Sequence, residues 1–409
     1  MGVSAETNDS MLALNALTYK KPFPLAVASS TQWRVFRALR DGYTPGTTAF
    51  IDIAPGASFI DPAVSYLAFE VDVFPTTEEK VETGNFAGVI IGALGETVVR
   101  CRNGLEASRS TVHGYGQRFY ELYTYATGYP VTVGSVSGST NPVVYPNGQT
   151  TTTDYILPLA SVNPFFTTPT LIPSQMGQLR LEITWAPTAE WLEYPAASPP
   201  NVVINNLRVV TKTYDLADTA LKRLSFIASQ TGLVMPYVDR YLTRSEIVGA
   251  SLNTSSLKAA SRGLYAYAIP GTARDNPENA SNMNGVPWND NDRFQFSLGS
   301  QFVTAEPVAT AVDALVQANH AFGLWGRAKD NVSNQVSIDL FTGGPARAYA
   351  LMACNLERSH VLAYNGMAVS SSRPLLIQGT TVNGERLYFY LCYLRLLYVF
   401  SDSNVSIKE

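Results

Sequence analysis

The sequence is poor in charged residues. Charged side chains make up 15% of the 409 residues, against roughly 25% in ordinary globular domains. This fits either a large core with Ser/Thr/Asn-rich loops or a surface that neighbouring molecules cover. The formal net charge is −4, and lysines and arginines are dispersed, with Lys20-Lys21 the densest basic spot near the N-terminus. Tight binding of DNA or RNA requires a basic stripe or arm on the protein. The sequence shows neither, so we do not expect this chain to bind nucleic acid tightly.

Cysteine is scarce as well. Cys101, Cys354 and Cys392 are far apart and odd in number, which argues against a disulfide framework and fits a reducing compartment. Each lies in an apolar, strand-like context. We therefore interpret all three as buried structural thiols.

Targeting and membrane signals are also missing. The first ten residues contain no apolar stretch, so we expect no secretory signal. Gly2 is also not expected to be myristoylated, because Glu6 occupies the position at which that motif has Ser or Thr. The apolar run from Leu387 to Phe400 is interrupted by Arg395 and is shorter than the ~20 residues that span a bilayer. It is predicted to be a buried strand. Sequons for N-glycosylation begin at Asn8, Asn253, Asn279, Asn331 and Asn404. We expect them not to be glycosylated.

Only three histidines are present: His113, His320 and His360. None belongs to an HExxH or other close metal-binding pattern. His320 falls in the last turn of a predicted helix, where a positive side chain meets the negative end of the helix dipole. We interpret it as a capping or surface histidine, and we interpret the other two in the same way.

Two short motifs resemble functional sites without matching them. The run 134–138, GSVSG, resembles a nucleophile elbow, but Val136 occupies the position of the nucleophile. Asp290-Asn291-Asp292 offers carboxylates to a hard cation such as calcium, yet its spacing departs from an EF-hand loop, and a solvated turn is favoured. No pair of carboxylates is singled out for glycoside hydrolysis. We predict no catalytic, cofactor-binding or metal-binding residue, and therefore no enzyme.

The sequence is rich in residues that favour β-strands. Tyrosine (22) and phenylalanine (18) are plentiful, and such residues fit a pleated, half-buried surface. Between Ser65 and Phe74, alternate residues are apolar, the period-2 pattern of a strand with one wet face. Further strands are predicted at Trp33–Leu39, Thr47–Ile53, Val89–Ile91, Thr97–Cys101, Tyr155–Leu159, Gln178–Trp185, Val202–Thr213, Gly263–Ile269, Phe294–Leu298, Gln335–Phe341, Arg347–Cys354, Pro374–Ile377 and Arg386–Phe400.

Three helices interrupt this pattern, at Leu105–Tyr125, Leu216–Ser229 and Glu306–Phe322. Gly114 and Gly116 weaken the first, at ~1 kcal/mol each against alanine.

The other two helices carry signals at their ends. For the second, Asp215 or Asp218 is expected to cap the start and Gly232 to follow the end. Pro307 is expected in the first turn of the third helix.

The chain length and these elements predict two all-β halves of similar size. We place an N-terminal arm at 1–30, a first domain at 31–214, a connecting helix at 215–232 and a second domain at 233–409. The two halves have a similar pattern of predicted strands and helices but no repeated sequence. Any duplication must therefore be one of structure and not of sequence. Long surface loops are predicted at 127–153 and 271–292.

Several segments, taken in order, resemble one known family. Leu179-Arg180-Leu181-Glu182-Ile183 matches its "LRLEI" strand, and 294–300 (FQFSLGS), followed by Pro307 and a helix, is similar to a stretch that precedes a helix in the family. Other resembling segments are 59–69, 85–100, 157–173, 352–357 and 364–366. Over roughly residues 47–400, the sequence resembles the double jelly-roll major capsid proteins of adenovirus-like and giant viruses, and above all those of polinton-like viruses, adintoviruses and virophages.

This resemblance implies a fold and a role. The fold is all-β: two tandem eight-stranded jelly rolls with a few short helices. The role is a viral major capsid protein, whose homotrimers are pseudo-hexameric tiles of an icosahedral shell in the virion, made in the host cytoplasm and assembled in the cytoplasm or nucleus. Partners would be other copies, minor capsid proteins and penton proteins, and the two long loops would form exposed towers. The residues of the assembly interface stay unknown at this point.

Two alternatives remain open. One is a minor capsid or spike protein with the same fold, which copy number in purified virions would separate from a major capsid protein. The other is a jelly-roll protein that binds or cleaves carbohydrate, which predicts saturable glycan binding on an aromatic platform.

Overall fold

The structure is a computed structural model. It describes residues 28–75, 81–83, 89–124, 144–145, 150–258, 261–272, 285–304, 306–323, 336, 338–343, 349–357, 366–401 and 404–408. Most of the two predicted tower loops, the run 134–138, His360 and residues 1–27 of the predicted arm lie outside these ranges.

Within these ranges, the first half contains eleven strands and three helices. The strands are β1 (Ala28–Arg37), β2 (Thr48–Ile53), β3 (Phe59–Phe74), β4 (Val81–Thr83), β5 (Leu94–Cys101), β6 (Glu106–Thr111), β7 (Val144–Tyr145), β8 (Thr151–Pro158), β9 (Leu179–Trp185), β10 (Leu192–Glu193) and β11 (Asn201–Leu216). The helices are α1 (Val89–Gly92), α2 (His113–Thr124) and α3 (Leu159–Val162), with short 3-10 turns at Pro164–Thr167, Ser174–Met176 and Thr188–Glu190.

A helix, α4 (Asp218–Gln230), connects this half to the second. The strands of the second half are β12 (Leu233–Glu246), β13 (Ser251–Ser255), β14 (Ser261–Gly271), β15 (Arg293–Leu298), β16 (Gln301–Phe302), β17 (Met352–Asn355), β18 (Met367–Val369), β19 (Leu375–Thr380), β20 (Arg386–Val399) and β21 (Val405–Lys408). Its helices are α5 (Ala311–Ala321) and α6 (Ile338–Thr342).

The two halves have the same strand order. In the first half, β1-β11-β3-β8 form one antiparallel sheet and β2-β9-β5-β6 the other, beside a small sheet β10-β4-β7. In the second half, the sheets are β12-β20-β14-β17, to which β18 and β21 add, and β13-β19-β15-β16. When the eight principal strands of each half are numbered along the chain, both halves read 1-8-3-6 and 2-7-4-5. This is a pair of jelly rolls, and the duplication expected only at the level of structure is present.

Alternating burial explains the strands that sequence predicted well. In β3, Leu67, Phe69, Val71 and Val73 are at most 1% exposed, while Glu70 and Asp72 on the other face are half-buried. β9 buries every second residue from Leu179 to Trp185 in the same way. Each alternating set fills the space between its two sheets, where buried apolar area is the main stabilising contribution.

Two predicted elements near residue 100 are wrong. Val89–Ile91 is the helix α1 and not a strand. The predicted helix Leu105–Tyr125 is divided: its first third is the edge strand β6, Val112 turns the chain with a left-handed φ of 48°, and α2 starts at His113. Strand pairing of β6 with β5 overrides the helical spacing of the apolar residues.

A third element, the predicted strand Gln335–Phe341, is wrong because its described part ends in helix α6. The Thr342 hydroxyl donates to the Ile338 carbonyl at 3.0 Å and closes the turn. This places Phe341, which is fully buried, 5.9 Å from the Trp288 ring. Tertiary packing overrides the alternating sequence here.

The predicted helix caps were partly wrong. Pro307 precedes α5, whose N-cap is Thr310; the Thr310 hydroxyl accepts from the Asp313 N–H at 3.1 Å. α4 has no side-chain cap, because Asp218 is already helical and Asp215 lies in β11, where it accepts from Ser30. Gly232 does follow α4, with a φ of 80°.

Candidate functional site: the junction between the rolls and an exposed sheet face

The histidines and cysteines that the structure describes are His113, His320, Cys101, Cys354 and Cys392. Among the described residues, no group of three or more His, Cys, Asp or Glu side chains could hold a metal ion. Cys101, Cys354 and Cys392 are buried free thiols, as predicted. Burial raises the thiol pKa to about 12 for Cys101 and Cys392, and raises that of Cys354 as well. Nucleophilic or metal-binding cysteine needs the thiolate, which such a pKa suppresses at neutral pH.

His113 is not the surface residue that the sequence predicted. It is 1% exposed, and its two ring nitrogens lie 2.9 Å from the Ser110 hydroxyl and 2.8 Å from the Ser161 carbonyl oxygen. Burial, with a smaller effect of Arg240, lowers its pKa to about 3. A neutral His113 therefore connects the start of α2 to α3. His320 lies in the last turn of α5, as predicted.

The carboxylates at 290–292 serve the fold. Asp290 and Asn291 are exposed, as a solvated turn requires. Asp292, by contrast, is 1% exposed and accepts from the N–H groups of Asn289 at 2.9 Å and Val382 at 2.8 Å. Its oxygens thus close one turn and attach it to the segment after β19.

Polar side chains that the sequence analysis did not single out as a site meet where the two rolls pack. Edge strand β6 of the first roll lies against β12 and β20 of the second. There the carboxylate of Asp239 accepts from the Ser108 hydroxyl at 2.8 Å, from Arg395 at 2.9 Å and from the Tyr393 hydroxyl at 3.3 Å. Arg395 also donates to the Ala107 carbonyl in β6. Although burial raises the pKa of Asp239, Arg395 and the hydrogen bonds oppose that rise.

Helix α2 forms the second part of the junction. The Tyr123 hydroxyl donates to the Tyr349 carbonyl at 2.6 Å, and Tyr267 of β14 donates to the Gly116 carbonyl at 3.1 Å. A Cβ added at Gly116 would lie 2.5 Å from the ring of Tyr390, and one at Gly114 would overlap the carbonyl oxygen of Ile91. The glycines that weakened the helix prediction are therefore what allows α2 to pack this closely.

Two cavities of about 340 Å³ each lie along the junction, and Arg240 of β12 lines both. One is mostly aromatic and aliphatic, between α2 and the Pro164–Thr167 turn on one side and the second roll on the other. The other is polar, and its lining includes Glu106, Arg109 and Lys258. The Arg109 guanidinium is paired with Glu106 at 2.8 Å.

The sheet β1-β11-β3-β8 of the first roll exposes apolar side chains on one of its faces. We call this face the outer face. Register places Val35, Val210, Tyr66 and Pro158 in one row across β1, β11, β3 and β8. Val35 is 52% exposed, and the neighbouring Trp33 is 56% exposed with its ring 6.3 Å from that of Tyr66. Large apolar side chains that are exposed side by side on one sheet face are candidates for a protein contact.

No helix in the described part of the chain is long and apolar enough to cross a membrane. Further large hydrophobic side chains are exposed elsewhere in the described part of the chain, for example Phe226, Val248, Leu257, Phe302 and Val312.

Comparison with known proteins finds similarity in structure alone. No protein-family model matches the sequence, and no curated protein matches it. Among solved structures, the chain is similar to the PBCV-1 protein VP54, fitted into a reconstruction of the virophage Sputnik, with 12% identity, a TM-score of 0.63 and coverage of 96% of this chain and 99% of that one. It is similar to the Faustovirus major capsid protein, with 9% identity, a TM-score of 0.56 and coverage of 96% and 98%.

The mavirus major capsid protein is also similar, with 10% identity, a TM-score of 0.51 and coverage of 95% of this chain and 94% of that one. These alignments run through both rolls. Together with the repeated strand order, they show that the chain has the double jelly-roll fold.

Proposed function

We propose that this chain is a viral major capsid protein that assembles as a homotrimer. The observation that carries the proposal is the double jelly roll itself, with identical strand order in both halves and similarity over nearly the whole chain to the Faustovirus and mavirus major capsid proteins. Three chains with two rolls each would give six similar units, which suits a pseudo-hexagonal tile. Closed symmetry allows one surface patch to serve every equivalent contact.

The junction between the rolls supports a structural role. A tile needs its two rolls held in fixed relation, and Asp239, Ser108 and Arg395 together with α2 join them through buried contacts. We accordingly divide the chain into an arm (1–30), a first roll (31–214), a connecting helix (215–232) and a second roll (233–409). We further propose that the outer face, with Trp33 and Val35, contacts another copy of this chain.

The remaining parts of the proposal concern partners and location. We place the chain in the capsid of the virion, with minor capsid and penton proteins as neighbours and no catalytic activity. Because the charge is −4 overall and no basic stripe or arm is visible in the sequence, genome retention is assigned to other proteins. Tight DNA binding by the isolated trimer at physiological salt would contradict that assignment.

Native mass spectrometry of the purified chain tests the proposal. A trimer of three times 44.4 kDa, or larger particles built from it, is expected at high concentration. A strict monomer at every concentration would contradict the proposal. The copy number in purified virions distinguishes a major from a minor capsid protein, and saturable binding on a glycan array would favour the carbohydrate-binding alternative.

A further inference from the structure

Arg240 is a buried cation whose charge is only partly balanced: the buried Glu121 carboxylate interacts with it electrostatically but forms no ion pair with it. Its side chain lies in the junction, 6% exposed. It donates to the side-chain oxygen of Gln117, its Cζ lies 5.0 Å from the centroid of the Tyr120 ring, and the Tyr267 hydroxyl lies beside it. Among the described residues, no carboxylate forms an ion pair with it.

This arrangement leaves room for a carboxylate that pairs with Arg240 directly. A guanidinium has five N–H donors in a planar fork that matches a carboxylate, and a buried charge without a counter-ion is costly. Arg395, close by in the same junction, shows the usual solution, since it is paired with Asp239 at 2.9 Å. Arg240 instead faces open space.

The open space beside Arg240 is suited to an apolar molecule. The aromatic cavity has a volume of about 340 Å³, within the range of sites for small molecules. Apart from Arg240, its walls are mainly Tyr120, Leu264, Tyr265 and Phe322. Thr167 and Gly323, which are exposed, lie at its edge, so the cavity reaches the surface of the described part of the chain.

We propose that this cavity binds a small amphiphilic carboxylate, with its charged group on Arg240 and its alkyl or aryl body against Tyr120, Leu264, Tyr265 and Phe322. The positive charge of Arg240 favours a negatively charged head group, and the apolar walls favour an alkyl or aryl body. Among the described residues of the lining, Glu357 is the one carboxylate, and it is expected to weaken binding of an anion. Because the cavity lies between the rolls, its occupant would stabilise the junction.

Calorimetric titration of the purified full-length chain tests the site, with decanoate as the probe. Decanol and decyltrimethylammonium are the matched probes, with the same chain length and a neutral or positive head. Saturable binding of decanoate, tighter than that of decanol by about tenfold or more, is expected, because a hydrogen bond to a charged group contributes ~1.5–3 kcal/mol. No binding of any probe, or equal binding of all three, would overturn the proposal. Tighter binding of the ammonium probe would also overturn it and assign the cavity to cations.

Four variants distinguish the contribution of Arg240 to decanoate binding from that of the cavity walls. Arg240→Gln is expected to weaken decanoate binding about tenfold or more, whereas Arg244→Gln, an exposed arginine on the same strand, should leave it unchanged. Ala321→Leu adds volume to the lining while Arg240 stays, and should also weaken binding. Glu357→Gln should tighten it. Unchanged binding in both Arg240→Gln and Ala321→Leu would place decanoate elsewhere and overturn the site. All of these readouts are independent of trimer formation.

Discussion

The Ser108 hydroxyl of the first roll donates to the buried Asp239 carboxylate of the second at 2.8 Å. The two residues are 131 positions apart, and the same carboxylate accepts from Arg395, which also reaches the main chain of the first roll. Asp239 is therefore the centre of the polar contact between the rolls, and its removal takes away the carboxylate that accepts from both Ser108 and Arg395.

We predict that Asp239→Ala lowers the free energy of unfolding by ~3–5 kcal/mol, the usual effect of breaking a buried ion pair by removing one side. Asp52→Ala is the matched control. Asp52 pairs with Arg180 at 2.8 Å, but both side chains are solvated, and such pairs contribute less than ~1 kcal/mol. Urea denaturation of both variants measures the difference. Equal losses would contradict the role given to Asp239.

Gly116→Ala should destabilise the chain, although alanine is favoured over glycine in a helix by ~1 kcal/mol. The new Cβ would lie 2.5 Å from the Tyr390 ring, and overpacking of this kind costs ~1–3 kcal/mol. Adding Tyr390→Leu to Gly116→Ala should recover part of the loss, which thermal unfolding of the single and double variants can show. A more stable Gly116→Ala variant would mean that α2 packs less closely.

His113 predicts a pH dependence with a defined sign. Its pKa is lowered from 6.5 to about 3 in the folded chain, so the unfolded chain binds the proton first as the pH falls. The contribution of neutral His113 is complete above pH 6.5 and is lost as the pH falls toward 3, by ~1.4 kcal/mol per pH unit. The difference in unfolding free energy between the wild type and His113→Gln should therefore shrink from pH 7 to pH 4. A constant difference would contradict burial of a neutral imidazole.

The outer face gives a prediction about assembly. Trp33→Lys places a charge in the proposed contact between copies, and we expect the trimer to dissociate at concentrations at least about tenfold higher than for the wild type, since a buried unpaired charge costs several kcal/mol. Val248→Lys is the control, because Val248 is 75% exposed and lies outside this face. Sedimentation of both variants over a concentration series measures the effect. Equal dissociation would place the contact on another surface.

Sequence reasoning predicted the parts of the fold that local pattern controls. The alternating residues of β3 and β9 identified strands because each strand presents one side to a core. Pairing and packing decided the rest: β6 is a strand because β5 pairs with it, and α6 is a helix that buries Phe341. Neither the pairing of β5 with β6 nor the contact of Phe341 with Trp288 is visible in the spacing of apolar residues along the sequence.

The junction was harder to predict for the same reason. Asp239 and Arg240 stand in an ordinary strand sequence, and only their contacts across the rolls reveal them. Two signals were present nonetheless. Arg395 interrupts an apolar run, and a buried strand keeps a charge only when it has a partner. Gly114 and Gly116 stand in a helix, where glycine is unfavourable unless a neighbour approaches closely.

Electron microscopy of the purified oligomer tests whether three chains with two rolls each form one tile. We expect a particle of three chains whose projection along its axis shows six similar lobes in a nearly hexagonal outline, two from each chain. A particle of single chains, or an oligomer in which each chain contributes one lobe, would contradict it.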